Sequence, residues 1–330
     1  MKFLQLLLVI FMAAALLIAG PLPTANSTNV EIQRRLAVDL PENRDLWPIT
    51  SNGVSEIYYC YLASTDKDAV SEVVTSAIAQ MMQSLGGYAG QSSGHRIRIQ
   101  EWKAQDGSAS TCTTGDPAYW DDSVPKSCLM ITATEDGMSE GRRGWWKGPY
   151  NADTLRNGNG NRIIIRKGCP NLEVIHELGH TLGLIHEHQR SDRDQYVYFS
   201  CQAVNGYDDM KTVADSKGWD MNKLCTGRDD ESSERRDAVW DFSIAIWNLM
   251  PYLGSDNYGD FDMDSFMIYP SMAFSKDSEK CETHETPDWC PLLRYTSNEK
   301  GLNAPMEAWT YSMQLSERDI QAIKQIIYFF

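Results

Sequence analysis

The chain has 330 residues, of which 42% are hydrophobic and 23% charged. That is the make-up of an ordinary globular protein, long enough to bury a full core as one large domain or two smaller ones. Its formal charge of −15 would repel a phosphate backbone, which excludes nucleic acid as the expected partner.

Lys2 opens the chain with a positive charge, residues 6–19 form an unbroken apolar run, and small residues follow at Ala19 and Gly20. This pattern predicts a secretory signal peptide over residues 1–20, because the run is short of the roughly 20 apolar residues a spanning helix needs. No later stretch is long and apolar enough to span, so the mature chain is expected to be secreted, extracellular and off the membrane. Residues 21–35 are polar and end in Arg34-Arg35, which suits a short pro-segment or linker with a dibasic processing site. Asn26-Ser27-Thr28 is a glycosylation sequon inside that segment.

Export agrees with the eight cysteines, an even count that predicts up to four disulfides in an oxidising compartment. The close pairs Cys112/Cys128, Cys201/Cys225 and Cys281/Cys290 could each close a local loop, leaving Cys60 with Cys169 as a long-range link. Spacing alone does not decide among the pairings. None of the cysteines has the CxxC spacing of a metal site.

Residues 57–62 are apolar and aromatic and predict a first strand. Residues 68–85 carry Val70, Val73, Val74, Ala77, Ile78, Met81, Met82 and Leu85 at helical spacing, which predicts an amphipathic helix closed by Gly86-Gly87. Further strands are expected over residues 96–102, 128–134 and 162–166. A stretch punctuated by glycine, Gly141-Arg142-Arg143-Gly144-Trp145-Trp146, lies between the last two. The chain turns helical from Leu172. Strand, helix, several strands and a second helix predict an α+β fold, a mixed sheet with helices packed on it. The pattern weakens over residues 201–262, and the charged run 227–237 reads as an exposed loop or insertion. Ser316 is the candidate N-cap of a terminal helix over residues 316–328, with Ile320, Ile323, Ile326 and Ile327 as its apolar stripe.

Four of the six histidines fall between His176 and His188. His176 and His180 are four apart, so on a helix both rings leave the same face one turn apart, and that stacking suits two nitrogen ligands of one zinc ion. Glu177 stands beside the first ligand, where its carboxylate can act on a water without ligating the metal. On an unbroken helix His186 would lie about 15 Å from His176, so the chain must turn sharply between His180 and His186. Gly183 is the residue that can make that turn. His176, His180 and His186 are thus predicted to hold one Zn2+. The remaining His95, His188 and His284 are expected at the surface.

The run from His176 to His186 carries the metzincin signature HExxHxxGxxH. Its continuation Glu187-His188-Gln189-Arg190-Ser191-Asp192-Arg193-Asp194 matches the astacin pattern HExxHxxGxxHExxRxDRD at every fixed position. The chain therefore resembles the astacin family over about residues 46–328, from Leu46-Trp47-Pro48 to the terminal helix. The resemblance implies a metzincin catalytic domain over residues 36–330. Its N-terminal subdomain, about 36–186, would hold a twisted mixed sheet and two long helices. Its C-terminal subdomain, about 187–330, would be mostly irregular and end in a helix. Ser265-Phe266-Met267-Ile268-Tyr269 resembles the family's methionine turn, with Ile268 where the family has histidine. By that resemblance Met267 forms an apolar floor under the ligands, and Tyr269 is a zinc-binding phenol that swings to stabilise the oxyanion. Residues 141–146 resemble the sheet edge on which a substrate is laid. Glu187 takes the place of the glutamate that meets the mature N-terminus, here freed by cleavage after Arg35. Arg190, Asp192, Arg193 and Asp194 are expected to form salt bridges and caps.

Three departures stand out. Residues 21–35 lack an FxGD pro-motif, the cysteines do not reproduce the family's two disulfides, and the span from His186 to Met267 is longer than in a minimal member. The implied activity is hydrolysis of internal peptide bonds in protein or peptide substrates, with Glu177 as general base and Tyr269 assisting. The alternative is a secreted binding or effector protein that uses zinc only for stability. A structural zinc, however, has four protein ligands and no open position.

Overall fold

A computed structural model describes residues 44–107, 111–114, 119–146, 160–226, 238–251 and 259–324. The expected signal peptide, the pro-segment with Arg34-Arg35, and the charged run 227–237 lie outside the described residues.

The chain enters through a two-residue strand, β1 (Arg44–Asp45), followed by Trp47, whose indole Nε1 donates to the Thr181 carbonyl at 2.9 Å. Strand β2 (Ser55–Tyr61) leads into helix α1 (Ser64–Ser84), which buries Val70, Val74, Ala77 and Met81 along one stripe. The helix starts earlier than its apolar pattern because Asp66 caps it. One Asp66 oxygen accepts the Ala63 amide at 3.0 Å and the other the Ala133 amide at 2.7 Å, which ties the helix start to the sheet. Strands β3 (Ile97–Glu101), β4 (Leu129–Thr134), β5 (Glu140–Gly141), β6 (Trp145–Trp146) and β7 (Arg162–Arg166) follow. The main sheet runs β3-β2-β4-β7-β5, all parallel except the antiparallel edge β5, while β6 pairs with β1. Helix α2 (Asn171–Thr181) comes next. Ile57, Ile131, Ile163 and Ile165 of the sheet share one core with Val70, Val74 and Met81 of α1 and Val174 and Leu178 of α2.

The second half is more regular than its sequence pattern suggests. It holds β8 (Val197–Phe199), α3 (Tyr207–Lys217), α4 (Met221–Cys225), α5 (Trp240–Leu249) and α6 (Ser278–His284). Strands β9 (Leu292–Tyr295) and β10 (Met306–Glu307) and helix α7 (Glu317–Ala322) complete it. Strands β8, β9 and β10 form an antiparallel sheet in the order β10-β9-β8. Residues 201–262 supply much of a separate core of Met210, Ala214, Leu224, Phe242, Ile246 and Leu249. The periodicity looked weak there because α3 buries only Met210 and Ala214, whereas α5 is apolar on both its buried and its exposed faces. Ser316 caps α7 as expected, accepting from the Asp319 amide, but Ile326 and Ile327 lie outside the described residues.

Two of the local disulfides stand, Cys201–Cys225 and Cys281–Cys290. The other two expected pairs do not. Cys60 bonds Cys112, and Cys128 and Cys169 are free and buried. The cause is backbone pairing, since the Cys112 amide donates to the Tyr61 carbonyl at 2.7 Å and so holds Cys112 against the end of β2. His95 and His188 are also not at the surface. Both are fully buried, each with both ring nitrogens in hydrogen bonds. Among the described residues no helix is long and apolar enough to cross a membrane.

Candidate metal centre

Helix α2 carries His176 and His180 on one face and stops at Gly183. The Gly183 amide donates to His180 O at 2.8 Å and the Leu184 amide to Gly179 O at 3.0 Å, the pair of bonds that closes a helix in a Schellman turn. Gly183 has φ of 106°, a conformation that side chains other than glycine resist. The reversed chain brings His186 back toward the helix, and the Glu187 amide pins it there by donating to Met267 O at 3.1 Å. A ligand atom from each of His176, His180 and His186 lies within 4.8 Å of the others.

The hydrogen bonds assign the protons. Each ring turns its Nδ1 toward an oxygen: His176 toward Phe266 O at 3.0 Å, His180 toward Leu184 O at 2.8 Å, and His186 toward Gln189 Oε1 at 2.8 Å. A carbonyl oxygen only accepts, so Nδ1 carries the hydrogen and Nε2 is left with a lone pair. Burial lowers the pKa of His176, and lowers those of His180 and His186 well below the ordinary value, so all three rings are neutral. The lone pairs then face one another, with His186 Nε2 3.0 Å from His176 Nε2 and 3.1 Å from His180 Nε2. Three donors of a tetrahedral zinc with bonds of about 2.0–2.1 Å would stand about 3.3 Å apart. Converging lone pairs with no proton between them suit a cation, and the donor set fits zinc.

Glu177 sits one residue along the helix and is almost wholly buried. Burial pushes its carboxyl up to about 8, against the pull of the Gly141 backbone amide. The edge strand reaches the helix because Gly141 has no side chain; a Cβ there would lie 2.5 Å from the Glu177 carbonyl oxygen. Met267 is fully buried, and its Sδ stands 2.6 Å from where a Cβ on Gly179 would be. The Tyr269 ring lies 4.1 Å from the His186 ring between centroids and 4.7 Å from that of His188. Thus the structure brings Tyr269 to the histidine cluster and packs Met267 on the ligand helix.

Residues 153–223 match the profile of the family described as Astacin (Peptidase family M12A). Astacin-like metalloprotease toxin 5 of Loxosceles gaucho is 30% identical over 38% of this chain and 48% of its own length. Astacin-like metalloprotease toxin 4 of Loxosceles laeta is 30% identical over 37% of this chain and 77% of its own length. The chain belongs to the astacin family. It spans about half the length of the L. gaucho relative and 34% of toxin 1 of Loxosceles intermedia. High choriolytic enzyme 1, a hatching enzyme zinc-protease from Oryzias latipes, aligns at 17% identity over 87% of this chain and 96% of its own, with a TM-score of 0.49.

Around the histidines, this astacin has a charged shell. Arg190 is buried and grips both Asp192 oxygens at 2.9 and 2.8 Å, and its Nη1 donates to Glu187 Oε1 at 3.0 Å. The same Glu187 oxygen accepts the Asp262 amide at 2.8 Å. Glu187 Oε2 is buried with no hydrogen-bond partner among the described residues, and burial pushes this carboxyl up to about 8. Arg193 pairs with Asp194 at 2.9 Å. Sequence reading missed Asp319, which caps α7 and also accepts from Ser265 Oγ at 2.7 Å and the Phe266 amide at 3.0 Å. It thereby holds the methionine turn in place. Only its capping position was legible. Gln189 and His188 were missed as well, because one partner of each, the Trp247 and Asn248 carbonyls, lies on distant α5.

Proposed function

We propose that this astacin is a secreted zinc-dependent endopeptidase acting on protein or peptide substrates, with subdomains of about residues 36–186 and 187–330. The observation that carries the reading is the convergence of three neutral imidazoles through their Nε2 lone pairs beside a buried carboxylate. His176, His180 and His186 would hold one Zn2+. When bound, the ion supplies Lewis-acid polarisation of a carbonyl and acidifies water. Glu177 is the general base: its carboxylate takes a proton from the attacking water and hands it to the departing amine. A carboxyl whose pKa burial has raised is suited to both halves of that exchange, since it neither holds nor sheds the proton too tightly. The phenol of Tyr269 would donate a hydrogen bond to the developing oxyanion. Met267 supports the ligand helix from below and takes no part in proton transfer.

The test uses the purified mature chain on an unstructured protein substrate. Cleavage should require zinc, stop with a chelator and return on adding the metal. Glu177→Ala should keep one zinc per chain and lose about 10²–10⁴ in rate. A zinc-loaded parent chain that cuts no substrate overturns the reading in favour of a zinc-stabilised binding protein.

Activation by cleavage after Arg35 is part of the proposal. The buried Glu187 Oε2 has no partner among the described residues, and a new ammonium is the group that would suit it. Mass spectrometry of the mature chain should find its first residue at Leu36; a start well before Arg35 rules this out.

A further inference from the structure

The three rings are not held alike. His176 and His180 lean on backbone carbonyls, which the fold supplies whatever the side chains are. His186 leans on a side chain, the amide oxygen of Gln189. That amide is buried, 4% exposed, and its nitrogen donates to the Trp247 carbonyl at 3.3 Å. The two neighbours fix its orientation: a carbonyl can only accept, so the NH2 faces Trp247 and the oxygen is left for the ring N–H.

Trp247 lies in the last turn of α5, where helix carbonyls lose their partners. The amide that would serve the Trp247 carbonyl belongs to Pro251, which has no N–H. Three successive carbonyls at this helix end are taken instead by side chains of the metal segment. Gln189 takes that of Trp247, His188 Nε2 that of Asn248 at 3.0 Å, and Arg193 Nη1 that of Leu249 at 2.6 Å. His188 also accepts the Tyr269 amide on Nδ1 at 3.2 Å, so the same clamp reaches the phenol-bearing residue.

We propose that Gln189 is the positioning residue of the third metal ligand, holding His186 in the tautomer that frees Nε2 and tying the ring to the C-terminal end of α5. The inference rests on the metal reading above and deepens it. Losing a partner of this kind typically weakens metal binding by about 10–100-fold.

Zinc dissociation constants, read by competition with a chromophoric chelator, test it in the full chain. Gln189→Leu keeps the bulk and removes the acceptor, whereas Gln189→Glu keeps an acceptor for the ring N–H and loses the donor to Trp247. Zinc should bind Gln189→Leu about 10–100-fold more weakly and Gln189→Glu within about threefold of the parent. The visible spectrum of the cobalt-substituted Leu variant should also differ from the parent's. The metal-free thermal midpoint reports whether each variant folds, and Gln189→Met, also without an amide, replaces Leu should that variant fail to fold. Parent-like affinity in the amide-free variant, or equal weakening in Glu and Leu, overturns the inference. A folded parent that takes up no zinc overturns the metal reading itself, and this inference with it.

Discussion

At the scale of single residues, the chemistry depends on where protons sit. Each ligand ring has its Nδ1 against an oxygen, which commits Nε2 to the shared centre without any choice by the metal. Glu177 follows His176 directly on α2 and is buried. Tyr269 packs against His186 and His188 and should act only once charge develops on the substrate. We therefore expect Tyr269→Phe to keep its zinc and substrate KM and to lose about 10²–10³ in kcat, the cost of one oxyanion donor. Steady-state kinetics against zinc content checks this; a variant that loses KM or metal instead would assign the ring to binding. The clustering of His176, His180 and His186 was legible because helical spacing and a glycine are local facts. Gln189 was not, since its partner Trp247 is 58 residues away and the meaning of its amide comes from a helix end that no local pattern announces.

At the scale of elements, the site is a meeting of one helix with one sheet edge. Gly141→Ala would drive a Cβ to 2.5 Å from the Glu177 carbonyl oxygen, a backbone atom that cannot turn aside. The edge strand must then move off α2. The expected result is loss of peptidase activity with zinc still bound, measured by rate and metal content; full activity would mean that the edge does not align the base. A second prediction concerns the turn between α1 and β3. Buried His95 donates from Nε2 to Gly87 O at 3.0 Å and accepts the Ile97 amide on Nδ1 at 3.2 Å, so a second ring proton would confront that amide. Burial lowers its pKa below the ordinary 6.5. The unfolded chain therefore takes up a proton near pH 6.5 that the folded chain refuses, and stability present above that value is lost as pH falls. The stability advantage of the parent over His95→Gln, from urea midpoints, should shrink between about pH 7.5 and about pH 5. A constant gap would show that His95 does not govern the acid response of this turn.

For the whole molecule, the cysteines report how the two halves are stapled. One disulfide joins β2 to the segment that follows β3, and two lie in the C-terminal half. Burial pushes the free Cys128 thiol up to about 12 and also raises that of Cys169, so neither should react while the chain is folded. A thiol reagent should find almost nothing in the native protein and two thiols per chain after denaturation without reductant. Zero thiols after denaturation would restore a fourth bridge.

The one-dimensional text was enough for the main sheet strands, both helices of the first half, the histidine cluster and the family, because alternation, helical spacing and a fixed motif are properties of neighbours along the chain. Folding in three dimensions decided what depends on distant partners. Cys60 chose Cys112 over Cys169 because backbone pairing along β2 brought that residue near. Helices α3, α4 and α5 formed around their own core because short apolar faces gain their burial from one another and not from any periodicity a single segment displays. His188, set among charged residues in the sequence, was drawn inside because the end of α5 leaves carbonyls that need donors.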